Sequence, residues 1–127
     1  MTPPEDIREL LARLADQDYC YLTTTGRKTA RPHEIEIWFG AQNSTLYLLS
    51  GSGTSDWVKN LSKNSAVSVR IGEHTFSATA RLVTDKDEDR LARYLVAEKY
   101  QEWEEGKTLS QWAQTALPVA IDLMSRQ

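Results

Sequence analysis

The chain has 127 residues, of which 40% are hydrophobic and 26% charged, with a formal net charge of -3. This length and balance suit one globular domain over residues 1–127 and exclude a disordered or fibrous chain. The acidic excess argues against a dedicated nucleic-acid or membrane-surface binder. Cys20 is the only cysteine, so neither an internal disulfide nor a cysteine metal site is available, and a reducing cytoplasm fits best. No run approaches about 18 apolar residues and the first residues carry no apolar leader core, so neither a membrane span nor secretion is expected.

Thr2, Pro3, Pro4 and Glu5 form a helix-start signal, and Ile7, Leu10, Leu11 and Leu14 follow it at helical spacing. The period changes to two at residue 19, which predicts a strand over 19–25 up to Gly26. A partner strand over 33–39 places Ile35, Ile37 and Phe39 on one face and Glu34, Glu36 and Trp38 on the other. Turn residues occupy 40–44, and a third strand covers 45–50. Ser55 is placed to cap a short helix over 56–63 with Trp57, Val58 and Leu61 on its apolar side. Strands over 66–71 and 74–83 flank a turn at Gly72 and Glu73. Thr84 and Asp87 open the longest helix, about 85–101, with Leu91, Tyr94, Leu95 and Glu98 along one side. Leu109, Trp112 and Ala113 suggest a short helix that Pro118 ends, before a closing strand through Val119, Ile121 and Leu123. The fold class is therefore α+β and mainly β. Six short antiparallel strands cover their edges by closing into a small Greek-key barrel with peripheral helices.

Two segments have anion-binding chemistry. Thr25, Gly26, Arg27, Lys28 and Arg31 gather cations, hydroxyls and a turn glycine at the end of a strand, where charge-assisted hydrogen bonds to phosphate or carboxylate are strongest. The alternative is a solvated basic hairpin tip. Ser50, Gly51 and Gly53 lead into a helix N-terminus, whose free N–H groups favour negative charge, although a plain flexible connection has the same composition. Trp57 and Asn60 lie three apart on that helix and face the same way, suiting a ring-shaped ligand, with core packing the simpler role for Trp57. Glu34 and Glu36 read as a solvated face. His33 and His74 lack metal-ligand spacing, so no metal is assigned, and Cys20 reads as a small buried hydrophobe. With no nucleophile signature, any chemistry has to come from a bound cofactor.

The run from Thr23 to Pro32, then Trp57, Asn60 and Leu61, then the alternation Val67-Ser68-Val69, resembles the deazaflavin-dependent nitroreductase family. That family belongs to the split-β-barrel flavin- and deazaflavin-binding superfamily, which also contains the pyridoxamine-phosphate oxidases. The resemblance covers residues 21–83 and implies a six-stranded split barrel, often homodimeric. It implies an oxidoreductase that moves a hydride from reduced coenzyme F-420 to a small electron-poor acceptor such as a quinone, nitro compound or enone. Carried over by position, Arg27, Lys28 and Arg31 hold the phosphate and acidic tail. Ser50, Gly51 and the following loop line the cofactor, and Trp57, Asn60 and Leu61 flank its ring or linker. Tyr94, Tyr100, Trp103 and Trp112 are candidates for the acceptor wall, with Tyr94 or Tyr100 as a proton donor. The chain departs from the family at Ala30, usually glycine, at Ser65, often proline, and at His33-Glu34, where a more basic or small pair is frequent. The alternatives are an FMN-dependent oxidase or reductase on the same barrel and a non-catalytic flavin or deazaflavin carrier. A single-stranded nucleic-acid surface built on the cations with Tyr19 and Tyr21 is disfavoured by the net charge.

Overall fold

Helix α1, Ile7–Leu14, opens the structure; the computed structural model describes residues 6–127. The cap expected at Thr2 lies outside the described residues. Asp6 caps α1, its carboxylate accepting the Arg8 N–H at 2.8 Å. Leu10 and Leu11 then turn into the core, as their spacing predicts.

Strand β1, Cys20–Thr25, pairs antiparallel with β2, Pro32–Ile37, and its alternation buries Cys20, Leu22 and Thr24. The expected turn at 40–44 is mostly strand. Residues Gly40–Gln42 form β3, which pairs with β4, Thr45–Ser50, so the turn shrinks to Asn43 and Ser44. Asn43 takes the left-handed conformation, φ 57°, that asparagine tolerates. The remaining elements are α2, Asp56–Lys63; β5, Ala66–Ile71; β6, His74–Leu82; α3, Lys86–Tyr100; α4, Gln111–Thr115; and β7, Leu117–Arg126. Pro118 stands inside β7 rather than before it, near the strand's start where a missing N–H is tolerated. Gly40 is glycine for a packing reason: a Cβ there would lie 2.7 Å from Leu95 Cβ, so only a bare backbone lets α3 settle on β3.

The strands form one antiparallel sheet in the order β2-β1-β5-β6-β7-β4-β3. There are seven strands rather than six, and the ladder does not close: β2 and β3 remain edges of a curled half-barrel. Helices α1 and α3 pack on the short β3, so that edge is covered by helix instead of by closure. The interior is filled by Leu22, Phe39, Leu46, Leu48, Ile71, Phe76, Val119 and Ile121, all fully buried. Helix α3 buries Ala92, Val96 and Ala97, with Leu91, Tyr94 and Leu95 only half-buried and Glu98 exposed. The apolar side expected for it was displaced toward small residues, which let the helix axis approach the sheet. Its cap is Asp85, accepting from the Glu88 N–H at 2.9 Å, in place of Thr84.

A charged network fastens α3 to three strands. Arg81 on β6 bonds Glu88 of α3 at 2.6 and 2.7 Å and Asp122 of β7 at 2.7 Å, while Tyr47 of β4 donates to Glu88 at 2.7 Å. The Arg81 guanidinium holds Glu88 down at about 2, and burial pushes the Tyr47 phenol up to about 12. Because the Glu88 pKa is lower folded than unfolded, its stabilisation is present above the ordinary glutamate pKa and drains away as pH falls toward about 2. Arg81 is 42% exposed, so water screens the pair and the contribution is about 1 kcal/mol. Thermal unfolding of Glu88→Gln at neutral pH should therefore show a midpoint lowered by about 4 °C. The gap from wild type should close in acid.

Candidate functional site

The turn between β1 and β2 is closed by its own backbone, Gly26 N–H to Arg31 O at 2.8 Å and Ala30 N–H to Gly26 O at 2.9 Å. Ala30 sits at φ 60°, the left-handed region that favours glycine, at the position where the resembled family carries glycine. At Gly26 a Cβ would meet His33 Nε2 at 2.6 Å and Thr29 Oγ1 at 3.0 Å, so the imidazole lies directly over the start of the turn.

One buried amide latches this turn to α2. Asn60, 3% exposed, donates from Nδ2 to Thr24 Oγ1 at 3.2 Å, and its Oδ1 accepts both the Arg27 backbone N–H at 3.1 Å and Arg27 Nη1–H at 2.9 Å. Arg27 Nη2 reaches Asp56 Oδ1 at 3.1 Å across the same gap. The result is an open cavity of about 250 Å³ lined by Gly26, Arg27, Lys28, Thr29, His33, Asp56 and Asn60. Lys28 and Arg31 make no ion pair among the described residues, leaving their charges available to a ligand.

Four residues singled out from sequence, Gly26, Arg27, Lys28 and Asn60, thus meet around one cavity. Thr25 ends β1 beside them, and Arg31 closes the turn without lining the cavity. Trp57 is half-buried against the main core, and Leu61, 2% exposed, belongs to that core. Sequence reasoning missed Thr24, Asp56 and His33 as parts of the site. A signal existed for Thr24, a polar residue on the inward face of an alternating strand, which needs a buried partner. Asp56 and His33 carried none, because their roles depend on how the hairpin folds onto α2.

The loop 51–55 is braced by hydroxyls: Ser50 Oγ donates to Ser52 O at 2.6 Å and lies 3.0 Å from Ser55 Oγ. Ser55 holds the N-cap position, but its side chain bonds back to Ser52 O at 2.9 Å and makes no cap, contrary to the sequence expectation. The first turn of α2 therefore keeps its N–H groups uncapped by that side chain. Gly53 has open space around it. At Gly51 a Cβ would lie 3.4 Å from Trp112 Nε1, which puts an aromatic cluster at the start of the same loop.

In that cluster Trp38 stacks on Tyr100, centroids 4.5 Å apart, and meets Trp112 edge-on. Tyr94 stacks on Trp103 at 4.4 Å. The Tyr100 hydroxyl accepts the Phe39 N–H at 3.0 Å and donates to Asp18 O at 2.8 Å; burial pushes it up to about 12. The Tyr94 hydroxyl has no hydrogen-bond partner among the described residues. Lys99 donates to Phe39 O at 3.1 Å and lies over the Phe39 ring, and burial pulls its ammonium down to about 8. Burial raises the Cys20 thiol to about 12, which suits a packing residue and not a nucleophile. Among the described residues no cluster of His, Cys, Asp or Glu is arranged to hold a metal, and no helix is long and apolar enough to cross a membrane.

A curled antiparallel half-barrel with flanking helices is the architecture of the split-barrel oxidoreductases. Within that class the chain belongs to the F420H(2)-dependent quinone reductase family, whose profile matches residues 7–123. It is similar to the solved structure of an F420-H2 dependent reductase, FDR-A, with 22% identity, coverage of 84% of this chain and 94% of that one, and a TM-score of 0.63. A candidate pyridoxamine 5'-phosphate oxidase from Listeria innocua is similar at 19% identity, 97% coverage of each chain and a TM-score of 0.73. A protein solved as a domain-swapped dimer matches at 21% identity, 93% and 96% coverage and a TM-score of 0.66. The deazaflavin-dependent reductase resemblance and the split-barrel fold are both upheld.

Two stability outcomes test the local geometry. Replacing Ala30 by glycine should raise stability by about 0.5 kcal/mol or more, because relief of left-handed strain exceeds the entropy glycine adds to the unfolded chain; an unchanged or lowered midpoint in denaturant would contradict the strain. Asn60→Ala leaves the Arg27 N–H and the Thr24 hydroxyl without their partner and should cost about 2 kcal/mol. Hydrogen exchange at the Arg27 amide should accelerate in that variant.

Proposed function

We propose that this chain binds reduced coenzyme F-420 and catalyses transfer of its hydride to an electron-poor acceptor, a quinone first, with nitro compounds and conjugated enones in the same chemical class. The observation that carries the reading is the loop 51–55, which has a cationic cavity at its helical end, through Asp56, and an aromatic cluster at its start, through Gly51. A ligand with an anionic tail and a flat ring matches that order.

The donor set fits such a group. Lys28 and Arg31 hold the phosphate and acidic tail by charge-assisted hydrogen bonds. Arg27, already bonded to Asn60 and Asp56, shapes the turn and adds its remaining N–H donors. Ser50, Gly51 and Gly53 line the middle with backbone, and Trp57 and Asn60 on α2 border it. Leu61 acts through the packing of α2. When bound, a reduced deazaflavin supplies a hydride from a ring carbon, which favours two-electron chemistry. The aromatic residues Trp38 and Trp112 wall that end and exclude water from it. Tyr100 positions this wall, its hydroxyl proton held between Asp18 O and Phe39 O, while Tyr94 stacks on Trp103 and lines a separate cavity with Arg90 and Arg93, so solvent is the proton source. The assembly is a homodimer, supported by the exposed edge strand β2 and by the domain-swapped dimer among the similar structures.

Binding of F-420 and FMN measured in parallel, followed by a quinone panel added to the reduced coenzyme, tests the reading. Preference for F-420 with quinone-dependent recovery of the oxidised chromophore is expected. A double Lys28→Ala/Arg31→Ala variant should bind F-420 about tenfold or more weakly while unfolding at an unchanged temperature. A yellow protein that prefers FMN, or F-420 binding without turnover, would replace the reading with a flavin enzyme or a carrier respectively.

A further inference from the structure

His33 belongs to the cavity, although nothing in its sequence surroundings marked it. It stands opposite Thr24 in the β1–β2 ladder, its imidazole covers Gly26, and neither ring nitrogen has a hydrogen-bond partner among the described residues. The ring, its Nε2 edge against Gly26, belongs to an exposed residue lining a cavity whose other walls are Arg27, Lys28 and Thr29 of the turn and Asn60 and Asp56 of α2.

The charge balance of that cavity gives the imidazole leverage. Arg27 is paired with Asp56, so the two offset each other, and Lys28 is left as the uncompensated charge lining the space. Glu34, next to His33, points to the opposite face of β2 by strand alternation, and Arg31, on the same turn, is not part of the cavity lining. One further positive charge on His33 therefore adds directly to the charge that Lys28 presents in the cavity. A protonated imidazole also offers two N–H donors where the neutral ring offers one.

We infer that His33 is an anion ligand of this cavity, so that retention of the acidic coenzyme tightens as pH falls. The inference rests on the F-420 reading above and deepens it: the tail-binding end is a proton-linked site, and its grip on the coenzyme varies over the range where imidazoles change charge. Binding and protonation are reciprocal, so an anion held beside His33 also favours its charged form.

The test is calorimetric titration of F-420 into wild type, His33→Gln and His33→Lys at about pH 5.5 and about pH 8. Titration of the coenzyme itself is common to all three proteins, so the ratio of dissociation constants between proteins isolates residue 33. Relative to His33→Gln, wild type should bind about five- to tenfold tighter at the lower pH and about equally at the higher. His33→Lys, which keeps its charge, should bind tightly at both. A wild-type to glutamine ratio that does not change with pH, or a lysine variant no tighter than glutamine at the higher pH, overturns the role of His33 and leaves F-420 binding standing. Failure of all three proteins to bind F-420 at either pH, with their thermal unfolding intact, instead overturns the functional reading.

Discussion

The site depends on a single buried amide. Asn60 satisfies the inward-facing Thr24 hydroxyl with its N–H and, with its oxygen, accepts two N–H groups of Arg27. A buried amide left without partners is costly, so this geometry is strongly specified once α2 packs on β1. The flexible tip of a hairpin, usually among the most mobile parts of a sheet, is thereby held against a helix. The cations it carries are presented in a defined place.

That constraint also divides labour among the three cations. Arg27 spends much of its donor capacity on Asn60 and Asp56, whereas Lys28 and Arg31 make no ion pair among the described residues. Under the proposed reading, one cation makes the shape of the anion site and the others make its affinity. The left-handed backbone at Ala30 belongs to the same design: the turn needs a sharp reversal there, and this chain accepts the cost of a Cβ in that conformation. The loop 51–55, braced by Ser50, Ser52 and Ser55, then links the charged end to the aromatic cluster around Trp112.

Much of the fold was legible because its elements have clean periods. The alternation of Cys20, Leu22 and Thr24, and of Val67, Val69 and Ile71, could only suit strands with one buried face. Errors fell where tertiary contacts override local preference. β3 looked like a turn because Gly40 and Asn43 are turn residues, yet Gly40 serves to admit Leu95. Closure into a barrel was the expected way to hide the sheet edges, and helices cover the β3 edge instead. Along α3 large side chains suggested the buried face, while alanines and a valine occupy it because close approach to the sheet rewards small residues. The cap of α3 was placed one residue early, at Thr84 instead of Asp85, and at Ser55 the cap position was right but its hydroxyl bonds back to Ser52 O.

The sequence by itself determined the strand-and-helix inventory, the cationic turn from Gly26 to Arg31 and the family resemblance, because these rest on periodicity and on residues close together in the chain. Only the tertiary structure decided which of those cations remain free, that Asp56 and His33 line the same cavity, and that Trp112 borders the loop leading to it. Those facts depend on distances between residues more than twenty positions apart, or across a turn whose shape the sequence leaves open. No local pattern encodes them until the core brings α2 onto β1.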